Sequence, residues 1–541
     1  MKKRLEYFFI TALFFMVFAE IPVSAQESSN NLEKAKEALQ TGDYLEARRL
    51  FQPLLENISE DEREQVLDYF ETFLALGEYN EGIDEVNSYL NKTPHDPYLL
   101  HMKGRFLATI GKYKDAEIAF NDVQKIKEDF LQNQLELGVL LEKTGRKSYA
   151  YEYYRQITRE YQQNRLRTAQ SIGIAGKAFA NLGDYHEANR VFKIAYEMDP
   201  KNVQNLYWWA DLFREKFNNT DARRTFEEAL LINPHSAELY VGYAHSFESL
   251  SQWEVLANKA IEENPNCVDA LNILVEIHIL DGNYDEAEKI LNKTLEINPV
   301  YEQSLANLAT VYHLRNEEDK FAQTEQKVQE MNPQCSDFYI ILAENCIRRF
   351  RYKDAVSFCH KATLKEFDNW HVYALLGSNI LRLGQVDEAR IYLEKAYDGD
   401  PFDIYAHNTL ELIDDYKDFV STESEHFSLL IHSSENAVLA PPILALAEEC
   451  YDSLRIRYPY NPEHKIRIEA YNDNDDFAVR ISGLPGVDLL GVCFGDVVAF
   501  DTPNAQTDSE YNWSITLWHE IAHVMALGIS DNKVPRWFTE G

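Results

Sequence analysis

The chain has 541 residues, 45% of them hydrophobic, which is enough to build a large folded core. Its formal charge of −36 argues against nucleic acids and anionic membranes as partners, because both repel an acidic surface. Such a surface fits either basic peptide partners or simply a well-solvated exterior. The six cysteines include no Cys-x-x-Cys pair and are predicted to be packed free thiols; a disulfide between Cys346 and Cys359 is the alternative in an oxidising compartment.

The first 25 residues have the three parts of a secretory signal peptide. Residues 1–4 are basic at three positions, residues 7–18 are apolar, and Val23-Ser24-Ala25 supplies small residues for cleavage before Gln26. The apolar run is short for a membrane span, so an uncleaved anchor is the second choice. We therefore expect an exported protein, periplasmic or secreted from a bacterium, with no integral membrane segment after cleavage.

Residues 31–401 repeat with a period of 34 residues in about eleven units, one of them shortened around Ser251-Gln252-Trp253. Prolines mark the period in the later units and Gly-x-Tyr turns mark it in the earlier ones. A small residue follows most of these tyrosines by three positions. The prolines are Pro200, Pro234, Pro265, Pro299, Pro333 and Pro401, and the turns are Gly42-Asp43-Tyr44, Gly77-Glu78-Tyr79, Gly111-Lys112-Tyr113, Gly183-Asp184-Tyr185 and Gly282-Asn283-Tyr284.

This pattern resembles that of tetratricopeptide (TPR) repeats, in which small residues let two helices pack closely and proline ends the second helix. The resemblance implies a mostly α protein whose repeats stack into an α-solenoid. It also implies that the concave groove of the solenoid docks a protein partner. The tyrosines and alanines at the repeat positions are expected in the core and not among the binding residues.

A different pattern follows the repeats. Residues 402–424 predict a helix that caps the array, over 402–419, and a polar joint at Ser421-Thr422-Glu423-Ser424. Residues 425–541 then alternate strand and helix patterns, which predicts an α+β domain. Its predicted elements are a strand at 427–431, a helix at 437–457, a strand at 465–471, a glycine-rich loop at 483–491 and a strand pair at 492–500.

The last predicted helix is apolar and is interrupted by His519, Glu520 and His523. Thr507-Asp508-Ser509-Glu510 reads as the capping box that opens it, and Gly528 as its end. Histidines four residues apart on a helix project from one face and can bind one metal ion. The alternative is two half-exposed histidines bonded to neighbouring carboxylates.

The segments His519-Glu520-Ile521-Ala522-His523 and Pro535-Arg536-Trp537-Phe538-Thr539-Glu540-Gly541 resemble the motifs of gluzincin zinc metallopeptidases, in particular the peptidase MA-like families. The resemblance implies a zincin-like fold in which His519, His523 and Glu540 bind Zn²⁺ and Glu520 is the catalytic base. It also implies that an edge strand within residues 491–500 pairs with the substrate backbone, although an ordinary inner strand fits the sequence equally well.

In gluzincins the helix that carries the third ligand continues past this motif. We therefore expect this sequence to be an incomplete copy of a longer protein, with residues 425–541 as a truncated domain; the alternative is a site without the groups that follow.

These features predict an exported zinc metallopeptidase that hydrolyses peptide bonds and uses its TPR array to dock a protein or peptide. One alternative is a non-catalytic TPR interaction scaffold with a degenerate or truncated peptidase domain. Another is a hydrolase of a different class that uses the same metal residues. The presence of Glu520 favours an enzyme, because a pseudo-enzyme has no chemical need for the base.

Overall fold

The computed structural model describes residues 23–55, 63–486, 489–506 and 511–534, with side chains from residue 30 onward. Eleven consecutive helix pairs occupy the described chain between Val23 and Gly399. Their helices are α1 (Val23–Thr41), α2 (Tyr44–Leu55), α3 (Gln65–Ala75), α4 (Tyr79–Leu90), α5 (Pro97–Thr109), α6 (Tyr113–Ile126), α7 (Leu131–Lys143), α8 (Lys147–Gln162), α9 (Ala169–Asn181), α10 (Tyr185–Met198), α11 (Val203–Glu215), α12 (Asn219–Ile232), α13 (Ala237–His245), α14 (Leu250–Glu263), α15 (Val268–Asp281), α16 (Tyr284–Ile297), α17 (Glu302–Leu314), α18 (Glu318–Met331), α19 (Asp337–Arg348), α20 (Tyr352–Lys365), α21 (Trp370–Arg382) and α22 (Val386–Gly399).

The repeat positions have the roles expected from their residue types. The turn glycines Gly42, Gly77 and Gly111 have φ of 84°, 73° and 77°, a left-handed conformation that glycine adopts without strain. Ala47 and Ala116 are completely buried where the two helices of a pair meet. The second helices end two residues before the periodic prolines, because proline cannot donate the next helical hydrogen bond. The predicted shortened unit has a first helix, α13, of nine residues.

Successive turns of the solenoid touch each other along what we call the seam. The Nδ2 atoms of Asn233, Asn266 and Asn298 donate hydrogen bonds of 3.0 Å to Tyr44 Oη, Gly77 O and Thr109 O, each pair being 189 residues apart in the sequence. Since the repeat is 34 residues long, a separation of 189 residues corresponds to between five and six repeats. This number of repeats therefore makes one full turn of the solenoid. The periodicity of the sequence does not reveal this contact.

An α/β unit follows the repeats. Its five-stranded sheet has the order β1-β2-β3-β5-β4, with β2, β3 and β5 parallel and the edge strands β1 and β4 antiparallel to their neighbours. The elements are α23 (Ile404–Asp415), a 3₁₀ turn (Tyr416–Asp418), β1 (Phe419–Glu423), β2 (Phe427–His432), α24 (Ser433–Leu454), β3 (Ile466–Tyr471), α25 (Asn474–Ser482), β4 (Gly491–Cys493), β5 (Val497–Asp501) and α26 (Trp513–Ser530).

The sheet is covered on both faces. Helices α24 and α26 pack on one face, around Leu429, Ile468 and Phe500. The other face carries Tyr471, Val497 and Ala499, packed with Phe477 of α25 and with Tyr352 of the repeat array. The α/β unit is therefore joined to the last repeats through a shared apolar core.

Several expectations about this unit need correction. The supposed polar joint is strand β1, whose partner β2 supplies the buried residues. The capping helix ends at Asp415. Helix α24 begins at Ser433, because the His432 side chain caps the backbone amide of Ser434, and it accommodates Pro441 and Pro442. Helix α25 was not predicted.

The bounds of α26 also differ from the expectation. Residues 507–510, the supposed capping box, lie outside the described residues, and the helix begins at Trp513 with Asn512 as its cap. Gly528 is inside the helix, which ends at Ser530 because Asp531 adopts a left-handed φ of 51°.

All six cysteines are buried free thiols, as predicted. Among the helices described, none is long and apolar enough to cross a bilayer. Residues 1–22 of the predicted signal peptide lie outside the described chain, and Val23 begins α1.

Candidate functional site

Helix α26 holds the predicted site residues at one edge of the α/β unit, with Glu520 and His523 buried and His519 exposed. Its apolar residues pack on β4, β5 and α24, and Leu517, Ile521 and Met525 are completely buried. These residues recur at spacings of four, so they fix the rotation of the helix about its axis. The polar residues between them are thereby held at one edge of the same core.

His519 and His523 point at the same position. Their Nε2 atoms are 2.9 Å apart, and their rings are nearly perpendicular, with an interplanar angle of 88°. His519 is exposed, whereas His523 is 9% exposed. The two imidazoles therefore present a pair of nitrogen donors that is open to solvent on one side.

Glu520 lies on the side of the helix that meets β4, and it is 6% exposed. A β-carbon built on Gly491, the first residue of β4, would be 2.8 Å from Oε1 of Glu520 and 2.5 Å from Cγ2 of Thr516. The carboxylate is therefore packed directly against the backbone of this strand.

Strand β4 is the edge of the sheet that was expected beside the metal helix. It pairs with β5 on one side only, through Gly491–Phe500, Val492–Ala499 and Cys493–Val498. The Tyr511 hydroxyl donates a 3.4 Å hydrogen bond to the carbonyl of Leu490, just before the strand. Burial, with a smaller contribution from Glu520, raises the pKa of the Cys493 thiol, which is therefore protonated at neutral pH.

The structure thus brings together three of the four predicted site residues: His519, Glu520 and His523. The fourth, Glu540, lies with the rest of Pro535-Arg536-Trp537-Phe538-Thr539-Glu540-Gly541 outside the described residues. Two imidazole nitrogens that bind one zinc ion are roughly 3.3 Å apart, given Zn–N bonds of 2.0–2.1 Å and a tetrahedral angle. The observed 2.9 Å is the length of a hydrogen bond between the two rings and is shorter than this separation, so the two nitrogens would bind one zinc ion after a small movement of the side chains.

Sequence reasoning missed Gly491, Thr516 and Tyr511, which surround Glu520 or the adjoining strand. A glycine near a loop and a threonine in an apolar helix carry no signal of their own. The only indication was that a glycine-rich loop preceded the predicted edge strand.

A second cluster with metal-ligating side chains lies in the repeat array and consists of His313, Cys346 and Asp354. Here the Nε of Arg351 is 2.5 Å from Asp354 Oδ2, the same oxygen that His313 Nε2 approaches at 3.2 Å. The guanidinium already supplies the positive charge at this carboxylate. The cluster is therefore an ion-pair network within the described array.

Family models described as tetratricopeptide repeat match residues 175–238 and 254–310. No curated protein matches the sequence. The matched segments run from within α9 to the start of α13 and from within α14 to within α17. The four helix pairs before them and the pair α21–α22 have turn glycines, whereas Asn316 and Phe350 adopt positive φ at the turns of α17–α18 and α19–α20.

Similar solved structures include three with low sequence identity to this chain. The structure described as the APC/C hetero-tetramer Cut9-Hcn1 has 12% identity and a TM-score of 0.32, covering 71% of this chain and 90% of the other. Yeast Tom70 has 13% identity and a TM-score of 0.28, covering 72% and 96%. A tetratricopeptide repeat protein from Parabacteroides merdae ATCC 43184 has 20% identity and a TM-score of 0.32, covering 46% and 97%. From the family models and the helix pairs, we conclude that this chain contains tetratricopeptide repeats, a structure that suggests protein–protein interaction.

Proposed function

We propose that this protein is an exported zinc-dependent metallopeptidase whose TPR array docks protein substrates or partners. The observation that carries the proposal is the 2.9 Å approach of the His519 and His523 Nε2 atoms, with Glu520 buried beside them against an edge strand. The 2.9 Å distance is a hydrogen bond between the two rings, and the same convergence is what two ligands of one ion require.

In the proposed site, His519, His523 and Glu540 hold Zn²⁺. A bound zinc ion supplies Lewis-acid polarisation of the scissile carbonyl and acidifies water. Glu520 takes the proton of the attacking water and passes it to the leaving amine. Its burial next to the strand restricts its rotamers, which keeps the carboxylate oriented for this transfer.

The position of β4 supports a peptide as substrate. Among the described residues the strand pairs on one side only, with β5, and it begins at the residue that lies against Glu520. An extended chain that pairs with this edge would place its backbone carbonyls next to the helix that carries both histidines. This arrangement favours a peptidase over the hydrolases of other classes that use the same residues.

The test of the proposal is the zinc content and the peptidase activity of the mature protein, expressed from a reading frame that includes any residues after Gly541. We expect near one zinc per chain, greatly reduced in His519→Ala and in Glu540→Ala. Glu520→Gln should keep the zinc and lose about 10²–10⁴-fold in the hydrolysis of a fluorescently labelled unfolded protein. Zinc-free wild-type protein would contradict the proposal.

Export is part of the same proposal and has its own measurement. The N-terminal mass of the protein secreted by a bacterial host should correspond to cleavage before Gln26. A chain that retains Met1 and stays in the cytoplasm would contradict it.

The second candidate is a non-catalytic scaffold, favoured by the observation that both family matches fall within the repeats. In that case Glu520→Gln and Glu540→Ala leave every cellular effect of the protein unchanged. Deletion of repeats would then be the only change that abolishes its effect.

A further inference from the structure

We infer that Gly491 is a positioning residue of the proposed peptidase: because it has no side chain, the carboxylate of Glu520 can lie directly on the edge strand. The inference rests on the proposed function for its catalytic consequence. The structural part of the inference is the contact between the Glu520 side chain and a strand residue, Gly491, that has no side chain. This contact can be tested independently of activity.

The reason for glycine at this position is space. Gly491 is not among the residues with positive φ, so its backbone conformation is open to any residue. A methyl group at this position would be 2.5 Å from Thr516 Cγ2, 2.8 Å from Glu520 Oε1 and 3.0 Å from Glu520 Cγ. Contacts this short require one of the groups to move.

The group that moves is a side chain, because the two backbones are fixed. Strand β4 is hydrogen-bonded to β5, and α26 is held by the completely buried Leu517 and Ile521. Thr516 and Glu520 are one helical turn apart and both face Gly491. Added volume at position 491 therefore displaces the Thr516 methyl group and the Glu520 carboxylate, and it leaves the backbone that carries His519 and His523 in place.

The catalytic test is Gly491→Ala in the full-length holoenzyme. We expect kcat/KM to fall roughly 10–100-fold, because misplacement of a catalytic group by about 1 Å has an effect of that size. Zinc content should remain near one per chain, which separates displacement of the base from loss of ligands. Leu489→Ala, two residues earlier and at an exposed position, is the control and should retain activity.

A positioning role through Glu520 also predicts non-additivity. In the Glu520→Gln background, Gly491→Ala should cause no further loss of activity, because the displaced base is already absent. Equal fold-losses in the two backgrounds would overturn the inference.

The third measurement does not depend on activity. Gly491→Ala should lower the melting temperature by roughly 2–4 °C through overpacking. The decrease should be smaller when Glu520 is replaced by Ala, because that change removes the Glu520 contacts and leaves only the contact with Thr516 Cγ2. If the wild-type protein hydrolyses no peptide but this coupling is present, the proposed function fails and the structural part of the inference stands. If the wild type is active and Gly491→Ala matches it in both activity and stability, the inference fails and the proposed function stands.

Discussion

Glu469 of β3 is the most constrained charged residue that joins the sheet to the repeats. It is 1% exposed and lies 2.7 Å from Arg480 Nε and 2.7 Å from Arg467 Nε. Arg480 also donates a 2.9 Å hydrogen bond to the carbonyl of Leu381 in α21. Burial disfavours the charged carboxylate, but Arg480 and Arg467 outweigh burial and lower the pKa of Glu469.

Replacement of Glu469 by Gln should therefore destabilise the α/β unit strongly. The change leaves the buried Arg480 guanidinium without its counter-charge, which costs about 3–5 kcal/mol. Urea unfolding followed by tryptophan fluorescence, to which Trp513 and Trp518 of α26 contribute, measures the effect. The control is Glu423→Gln, which removes an exposed pair with Lys465 and should cost roughly 0–1 kcal/mol.

The pH dependence of this contribution follows from its sign. Folding lowers the pKa of Glu469, so its full contribution to the free energy of unfolding is present when the pH is above 4.5, the ordinary pKa of a glutamate. That contribution is lost as the pH falls through the lowered pKa. Equal losses in Glu469→Gln and Glu423→Gln at neutral pH would contradict the assignment of this ion pair to the joint.

Glu302 of α17 gives the opposite pH dependence. Burial and then the neighbouring Asp337 raise its pKa to about 7, while the Cys335 thiol donates to its Oε1 at 2.8 Å. Because folding raises the pKa of Glu302, its favourable contribution to the free energy of unfolding is fully present when the pH is below 4.5. The contribution is lost as the pH rises through about 7.

Glu302→Gln should accordingly raise the melting temperature at pH 8 and change it little at pH 5. Thermal unfolding of the two proteins at both pH values tests this, with Glu262→Gln at an exposed position as the control. A stabilisation of the same size at both pH values would show that charge is not the cause.

At the scale of elements, Gly528 shows why one helix end was misread. A side chain at this position would collide with the ring of Tyr460, which packs across the last turns of α26. Glycine is therefore needed for packing inside the helix, and the stop comes from Asp531. A glycine that ends a helix and one that admits a neighbouring ring look the same in sequence.

Gly528→Ala should destabilise the protein although alanine favours helix by about 1 kcal/mol. Overpacking against Tyr460 costs about 1–3 kcal/mol and so outweighs the propensity gain. Urea unfolding of Gly528→Ala, alone and combined with Tyr460→Ala, separates the two effects. If Gly528→Ala no longer lowers the free energy of unfolding when Tyr460 is already alanine, overpacking against the Tyr460 ring is the cause of the loss. If it still lowers it, the cause lies in the helix itself.

The elements that could be predicted are those with a strong period. The 34-residue repeat predicted the helix pairs, β2 followed from a run of apolar residues, and β3 followed from apolar residues that alternate with Arg467 and Glu469. Strand β1 could not be predicted, because Ser421, Thr422 and Glu423 have a polar pattern and only the pairing with β2 makes them a strand. Likewise, the motif identified His519 and His523, but the contact of Glu520 with Gly491 depends on tertiary packing that no local pattern encodes.

At the scale of the whole molecule, the seam holds successive turns of the array against each other. Gly77 and Gly111 lie so close to Asn264 and Asn298 that a side chain at either glycine would collide with the asparagine. Ion pairs add to the contact between turns, for example Lys216 Nζ to Asp400 at 2.9 Å. A solenoid in which each repeat contacts only its neighbours can bend and extend along its axis. Contacts between successive turns restrict that motion.

The combined change Asn264→Ala and Asn298→Ala should loosen the seam without unfolding the repeats. The two asparagines donate to Tyr79 Oη and Thr109 O in the preceding turn. Their Oδ1 atoms also accept hydrogen bonds from the amides of Asn266 and Val300 in the loops of their own repeats, but the helices of those repeats are held by other bonds. Small-angle X-ray scattering should show a larger radius of gyration, while circular dichroism shows unchanged helix content. Asn292→Ala, at an exposed site on α16, is the matched control and should change neither quantity. An unchanged radius of gyration in the double variant would mean that apolar packing within the repeats sets the curvature of the solenoid. The seam contacts would then be a consequence of that curvature and not its cause.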